Sequence, residues 1–285
     1  MIAITGATGQ LGRLVIERLL IKVPAAQIVA AVRDPRKAAD LAAKGIHVRQ
    51  ADYARPDTLQ SAFAGVKKLL LISSSEVGKR FPQHQAVIQA AQSAGVGLIA
   101  YTSILHADRS PLALATEHRA TEAALKDSGI PHVLLRNGWY VENYTASIPA
   151  ALQFKAVFGS AGEGRVSSAN RADYADAAVA VLTAEASQAG KIYELAGGTS
   201  FSLAEFAAEI ARQRGEPIVY TNLPEVDYKG ALLGAGLPEP LAGLLAESDV
   251  GASNGALFGN EPDLERLIGR KATDVQRAVA DALAR

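Results

Sequence analysis

The chain has 285 residues, 49% of them apolar, enough to build a substantial core in one large domain or two closely joined ones. Its 29 basic and 29 acidic residues cancel, which disfavours nonspecific association with nucleic acid or an anionic membrane. It has no cysteine, so disulfides, thiolate zinc sites, iron–sulfur clusters and cysteine nucleophiles are excluded together, and a reducing cytoplasm is the expected compartment. No apolar run approaches the roughly 20 residues that cross a bilayer, and the first stretch has no basic leader or small-residue cleavage site. Neither membrane insertion nor a signal peptide is expected.

In chain order, "IAIT" (2–5) reads as a strand and 11–23 as an amphipathic helix. The alternation continues through strands "QIVAAVR" (27–33), "HVRQAD" (47–52), "KKLLLIS" (67–73), "GLIAYTS" (97–103) and "PHVLLRN" (131–137). Helices are expected between them at 35–44, 57–64, 82–94 and 112–128. A seventh strand is expected at "KIYELAG" (191–197), followed by a capped helix, "SLAEFAAEIARQRG", ending at Gly215. Alternation of this kind implies an α/β fold with a Rossmann-like, doubly wound parallel sheet, and continuous apolar runs imply strands buried on both faces. The predicted dinucleotide-binding domain is 1–137 plus 171–198. The segments 138–170 and 199–285 are expected to form a smaller, mainly helical substrate lobe over the carboxyl edge of the sheet.

Gly6, Gly9 and Gly12 form G-x-x-G-x-x-G between the first strand and the first helix. Such a turn lets a diphosphate approach backbone N–H groups at a helix terminus, so Gly6, Ala7, Thr8, Gly9, Gln10, Leu11 and Gly12 are the first candidate cofactor residues. Arg33, about 20 residues further on at the end of the second strand, is placed to read the phosphate that distinguishes NADPH from NADH. Asp34 precedes Pro35 and reads mainly as a helix N-cap, although an acid here can also bind a ribose diol, so NADH stays possible. Arg36 and Lys37 add positive potential or form a solvated helix face. Asp52, after the third strand, is a candidate for the adenine amino group or a plain turn residue. Ser73, Ser74 and Ser75, after the fourth strand, are candidates at the topological switch, with a serine-rich turn as the alternative.

No tyrosine is followed four residues later by lysine, so the Tyr-x-x-x-Lys proton donor of many short-chain dehydrogenases is absent. The ordered segments "ITGATGQLG", "LLLISSSEVG", "IAYTS", "LRNGWY.EN", "NRADYA", "YELAG" and "SDVGAS" resemble the atypical, NmrA-like short-chain dehydrogenases along essentially the whole chain. Within that group the resemblance is nearest to type 2 NAD(P)H:quinone oxidoreductases, with triphenylmethane reductases as near relatives. It implies a nicotinamide-binding role for Gly138, Trp139, Tyr140, Val141, Glu142 and Asn143, with Trp139 or Tyr140 walling the ring, and packing of the smaller lobe as the alternative. Asn137 and Asn143 are hydrogen-bonding candidates. Arg171 and Asp173 would lie near a substrate cleft, Arg171 either at a quinone oxygen or in a helix-terminal salt bridge.

The implied reaction is flavin-free, metal-free, two-electron hydride transfer from NADPH to a quinone. Hydride addition to a ketone leaves a strongly basic alkoxide, for which a positioned acid is worth roughly 10²–10⁴-fold. A quinone leaves a delocalised phenolate-like anion and gains aromaticity, so proximity and orientation suffice. Tyr140 and His118 are nevertheless carried as catalytic candidates. His118 shares a helix face with Leu114, Thr121 and Leu125, and serves either as a proton relay or as a packing residue beside Glu122. His84 and His106 are weaker, and the five histidines show no metal-ligand spacing. A monomer or homodimer is expected, with a quinone as the partner. The rival readings are a non-catalytic NADP(H)-sensing regulator and a reductase of triarylmethane dyes.

Overall fold

The computed structural model describes residues 1–284. In chain order the elements are β1 (Ile2–Ile4), α1 (Gln10–Lys22), β2 (Ile28–Val32), α2 (Ala39–Ala43), β3 (His47–Gln50), α3 (Pro56–Ala62), β4 (Lys68–Leu71), α4 (Arg80–Ser93), β5 (Leu98–Ile104), α5 (Ala113–Asp127) and β6 (His132–Asn137). There follow α6 (Glu142–Thr145), α7 (Ile148–Phe154), β7 (Ala156–Gly159), β8 (Arg165–Val166), α8 (Arg171–Thr183), β9 (Ile192–Leu195), β10 (Phe201–Ser202) and α9 (Leu203–Arg214). The chain ends with β11 (Val219–Asn222), α10 (Glu225–Gly234), α11 (Glu239–Ser253), α12 (Asp263–Ile268) and α13 (Val275–Leu283).

Two compact units result. The first comprises Met1–Asp108, Ala115–Asn137 and Arg171–Glu194; the second comprises Arg109–Leu114, Gly138–Asn170 and Leu195–Arg285. The sequence-based division placed 109–114 and 195–198 with the sheet, whereas they group with the second unit.

The first unit is built on a seven-stranded sheet of order β3-β2-β1-β4-β5-β6-β9, with parallel pairing. The chain runs outward from β1 to β3 and then returns to β4 beside β1, so the switch point lies between β1 and β4. Every residue of β2 and of β5 is buried, as a sheet covered on both faces requires. Side chains alternate across it. Ala3, Val29, Leu69, Leu71, Ile99 and Tyr101 share one core with Leu59, Val87 and Leu125 from α3, α4 and α5 and with Phe63, which caps α3. Elsewhere in this unit α1 packs against α8 and Arg18 bonds Asp176 at 3.0 Å. The Lys68 ammonium closes the end of α8 by donating to the Leu182 carbonyl at 2.7 Å.

The segment expected as one helix at 35–44 is instead a 3₁₀ turn over Pro35–Ala38 followed by α2. Proline at its first position and the Asp34 cap tighten that turn.

In the second unit, α9 begins in a capping box. The Ser202 hydroxyl accepts from Glu205 N–H while the Glu205 carboxylate accepts from Ser202 N–H, and Gly215 ends the helix at φ +71°. Tyr144, Phe201 and Phe206 meet with ring centroids 5.8 to 6.2 Å apart. Two short sheets, β7 with β11 and β8 with β10, interrupt what the sequence reads as irregular or helical chain.

Candidate functional site

The carboxyl ends of β1, β2, β3 and β4 stand side by side in the first unit and bring together the glycine turn, Arg33, Asp52 and Ser73–Ser75. The turn is held by Thr5 N–H on the Leu70 carbonyl at 3.0 Å and Gly9 N–H on the Gly6 carbonyl at 2.9 Å. Gly6 has φ +58°, open to glycine without penalty. A Cβ on Gly12 would lie 2.4 Å from the Gly6 oxygen and 2.8 Å from the Ala7 Cα, so only glycine lets α1 start this close to the strand. Gly9 caps α1 without any side-chain hydrogen bond, and the first turn holds no acid. The helix therefore presents N–H groups and positive potential with nothing anionic opposing them, which suits a diphosphate. Ala7 and Leu11 have buried side chains and can meet a cofactor only through their backbone.

Arg33 extends its side chain into solvent, with NH1 3.6 Å from the Glu76 carboxylate. Asp34 is the predicted cap: it accepts from Arg36 N–H at 3.1 Å and from the Arg36 guanidinium at 2.9 Å. That partner holds its carboxyl below the usual range and leaves Arg36 occupied. Asp52 is a turn residue, its Oδ1 accepting from Ala54 N–H at 3.0 Å, so an adenine contact would fall to its other oxygen.

Beyond β4 the backbone is tied inward. Ile72, Ser73 and Ser74 donate their N–H groups to Thr5 Oγ1 (3.0 Å), Thr102 Oγ1 (2.9 Å) and His84 Nε2 (2.9 Å). Arg80 Nε grips the Ser74 carbonyl at 2.6 Å. Ser73 and Ser74 thus face a ligand only with their hydroxyls, and the Ser74 hydroxyl already accepts from Glu76 N–H at 3.2 Å. Ser75 is exposed.

His118 corrects the sequence reading. Its ring is 4% exposed and enclosed by Tyr101 and Arg80, with Nδ1 2.7 Å from the Tyr101 hydroxyl and Nε2 3.4 Å from Arg80 NH1. Burial, then the Arg80 cation and His84, hold its pKa well below the ordinary histidine value, which disfavours the protonated ring near neutrality. Nor does it pair with Glu122. That carboxylate accepts from Ser103 Oγ at 2.6 Å and from Arg136, whose guanidinium also meets Asp108 at 2.7 Å and Glu194 at 2.8 Å.

In the second unit, the segment after β6 is pinned by Gly138 N–H on the Leu195 carbonyl (2.9 Å) and Val141 N–H on the Ala169 carbonyl (3.0 Å). Trp139 and Val141 have buried side chains, so a cofactor would meet them chiefly through their backbone, as at Ala7 and Leu11. Tyr140, Glu142 and Asn143 keep partly exposed side chains. Arg171 opens α8 in the first unit and is also partly exposed. Among the described residues no group of three or more histidine, aspartate or glutamate side chains could hold a metal ion, and no helix is long and apolar enough to cross a membrane.

Sequence reasoning missed two features. Thr5, Arg80, His84 and Thr102 brace the β4 tip from three elements, and only Thr5, beside the glycine turn, carries a local signal. In the second unit Asp249 is 3% exposed, with Oδ1 accepting from Tyr144 O–H at 3.2 Å and Oδ2 from Ser160 N–H at 3.0 Å. Burial pushes its carboxyl up to about 6, against the pull of those two donors. A Cβ on Gly159 would lie 2.7 Å from its Oδ2.

A model of the NAD(P)H-binding family matches residues 6–185. Quinone oxidoreductase 2 of Escherichia coli (strain K12) is 58% identical over 280 residues, 98% of each chain. The crystal structure of the NADPH-dependent quinone oxidoreductase QOR2 from E. coli, complexed with NADPH, matches 99% of this chain and 100% of that one with 57% identity and a TM-score of 0.96. The Citrobacter sp. triphenylmethane reductase complexed with NADP(H) matches 99% of this chain and 100% of that one, at 40% identity and a TM-score of 0.95.

Proposed function

The chain belongs to the NAD(P)H-binding family, and from that membership we propose that it is an NADPH-dependent quinone oxidoreductase that needs neither flavin nor metal. The observation that carries this reading is the 57% identity, over 99% of the chain, to a quinone oxidoreductase whose structure contains NADPH. The glycine turn supports it independently. A Cβ at Gly12 would strike the Gly6 carbonyl, and the uncapped start of α1 offers N–H groups to an anion.

NADPH, when bound, supplies the hydride. Gly6, Thr8, Gly9, Gln10 and the backbone of Ala7 and Leu11 hold its diphosphate, with Gly12 keeping the helix close. Arg33 takes the phosphate on the adenosine ribose, in exchange for its exposed contact with Glu76. The Ser73 hydroxyl and Asp52 line the same row of strand ends. Tyr140, Glu142 and Asn143 are assigned to the nicotinamide end, and Arg171 to an oxygen of the quinone.

Neither buried histidine of the first unit's core serves as the acid for the product oxygen, because burial and the Arg80 cation disfavour protonation of both rings. A quinone does not require one, since its reduced form spreads the charge over an aromatic ring, and solvent completes the protonation. Catalysis then rests on holding donor and acceptor in contact. The expected setting is the cytoplasm.

The test is oxidation of NADPH by purified flavin-free protein with and without a simple benzoquinone, corrected for direct reaction and repeated with NADH. Saturable turnover with preference for NADPH is expected. Tight NADPH binding without turnover across a broad set of quinones overturns the enzyme and leaves a sensor. A cationic triarylmethane dye belongs in the same assay, because the Citrobacter reductase is 40% identical.

A further inference from the structure

We propose that His84 and His118 are positioning residues of the cofactor site, each fixed as the neutral tautomer protonated on Nδ1, and together holding the Ser74 peptide at the end of β4. The positioning role rests on the reading of Ser73–Ser75 as part of the dinucleotide site.

The tautomers follow from which groups can only donate. Ser74 N–H has no lone pair, and it lies 2.9 Å from His84 Nε2. That nitrogen must therefore accept, which puts the ring proton on Nδ1, 3.0 Å from Thr121 Oγ1. Thr121 spends its own proton on the Glu117 carbonyl at 2.8 Å, so its oxygen is the acceptor His84 needs. The guanidinium of Arg80 likewise only donates, and its NH1 lies 3.4 Å from His118 Nε2. His118 must accept there and donate from Nδ1 to the Tyr101 oxygen at 2.7 Å. Tyr101, hydrogen-bonded in turn to Thr121, completes the path.

The result is a closed ring. It leaves Ser74 through its N–H, passes His84, Thr121, Tyr101, His118 and Arg80, and returns to the Ser74 carbonyl through Arg80 Nε at 2.6 Å. Backbone amide and guanidinium fix the polarity at the two histidines, since reversing the bond at either Nε2 sets two donors face to face. His84, Tyr101 and Thr121 are 0% exposed, His118 is 4% and Arg80 is 5%, so water offers no substitute. Burial and the Arg80 cation both disfavour protonation of either ring, in keeping with the geometry.

Thr121 is the joint on which both histidines depend, although it lies far from Ser74 in the chain. Thr121→Val keeps the shape and removes the acceptor. His84 Nδ1–H is then left without its acceptor, and the ring loses the bond that aims Nε2 at Ser74 N–H. Thr121→Ser keeps the hydroxyl and should keep the ring.

The experiment is ¹⁵N NMR of protein labelled at histidine, with calorimetric titration of NADPH into wild type, Thr121→Val and Thr121→Ser. In wild type both rings should show a protonated Nδ1 and a bare Nε2, unchanged between about pH 8 and about pH 5, where an ordinary histidine titrates. Thr121→Val should leave His84 Nδ1–H unpaired, shifting its ¹⁵N resonance without moving the proton, and weaken NADPH binding about tenfold, the equivalent of one lost buried hydrogen bond, while Thr121→Ser stays within about twofold. A wild-type spectrum with either ring protonated on Nε2, or titrating near pH 6.5, overturns the proposal without any variant having to fold. Equal NADPH affinity in Thr121→Val and Thr121→Ser despite the lost His84–Thr121 bond overturns the positioning role alone. Wild-type protein that fails to bind NADPH overturns the cofactor reading, and the positioning role with it, but leaves the tautomers as assigned.

Discussion

Acidification should destabilise the first unit through His84 by a calculable amount. The ring is fully buried, and burial with the Arg80 cation lowers its pKa from 6.5 to about 3. An unfolded chain takes up a proton below 6.5 while the native ring refuses one until about 3. The stability this represents is complete above the unfolded value and is lost as pH falls, at about 1.4 kcal/mol per unit. Between about pH 7 and about pH 4.5 the loss is about 2.5 kcal/mol. His118 acts in the same direction. Asp249 acts in the opposite one, because a carboxyl raised to about 6 in the native state binds its proton before the unfolded chain does. The total pH profile therefore mixes signs, and the assay has to be differential. Wild type and His84→Gln would be unfolded with denaturant in parallel across that range. The stability of wild type relative to the variant should fall by about 2.5 kcal/mol. A difference that stays constant to within about 0.5 kcal/mol would mean that His84 is not buried neutral and would sink the reasoning.

Gly12→Ala places a methyl group 2.4 Å from the Gly6 carbonyl oxygen and should weaken NADPH binding at least about tenfold while thermal unfolding remains cooperative, as titration calorimetry would record. Arg33→Ala should weaken NADPH at least about tenfold and NADH less than about twofold, because the exposed guanidinium reads the phosphate alone; equal losses would point to adenine packing instead. Relative to Asp249→Asn, wild type should gain stability on acidification through pH 6, by up to about 3 kcal/mol for a shift of about 2 units, measured by the same denaturant series.

The sheet was legible because parallel strands covered on both faces must be apolar at successive positions, as in "IVAAV" and "LIAYTSI". The helix after Ser202 was legible because its cap, its Glu205 partner and its terminal Gly215 are all local. The pairs β7 with β11 and β8 with β10 were not. β8 and β10 have two residues each, β7 has four, and no residue of β11 is buried, so none carries a run long enough to read as a strand. The glycine turn and Arg33 could be read for the same reason as the cap, since their constraints lie within one strand-to-helix connection. His118 was misjudged because helical spacing gives the direction of a side chain but not what stands there. The phenol of Tyr101, on β5, decides between solvent and core. Asp249 lies in a segment that marked kinship, yet its partners Ser160 and Tyr144 come from distant parts of the chain.

The three amides closed by Thr5, Thr102 and His84 lie just past the last residue of β4, where a connecting chain ordinarily breathes. Each is covered from a different element, so exposing all three to deuterium takes the loss of the Thr5, Thr102 and His84 bonds alike. Ile72, Ser73 and Ser74 therefore exchange with the slow amides of the sheet, and the boundary of the cooperative unit falls after Ser74 rather than after Leu71. The shelf beside the glycine turn is part of the rigid frame, and the freedom to follow an incoming ligand begins only at Ser75.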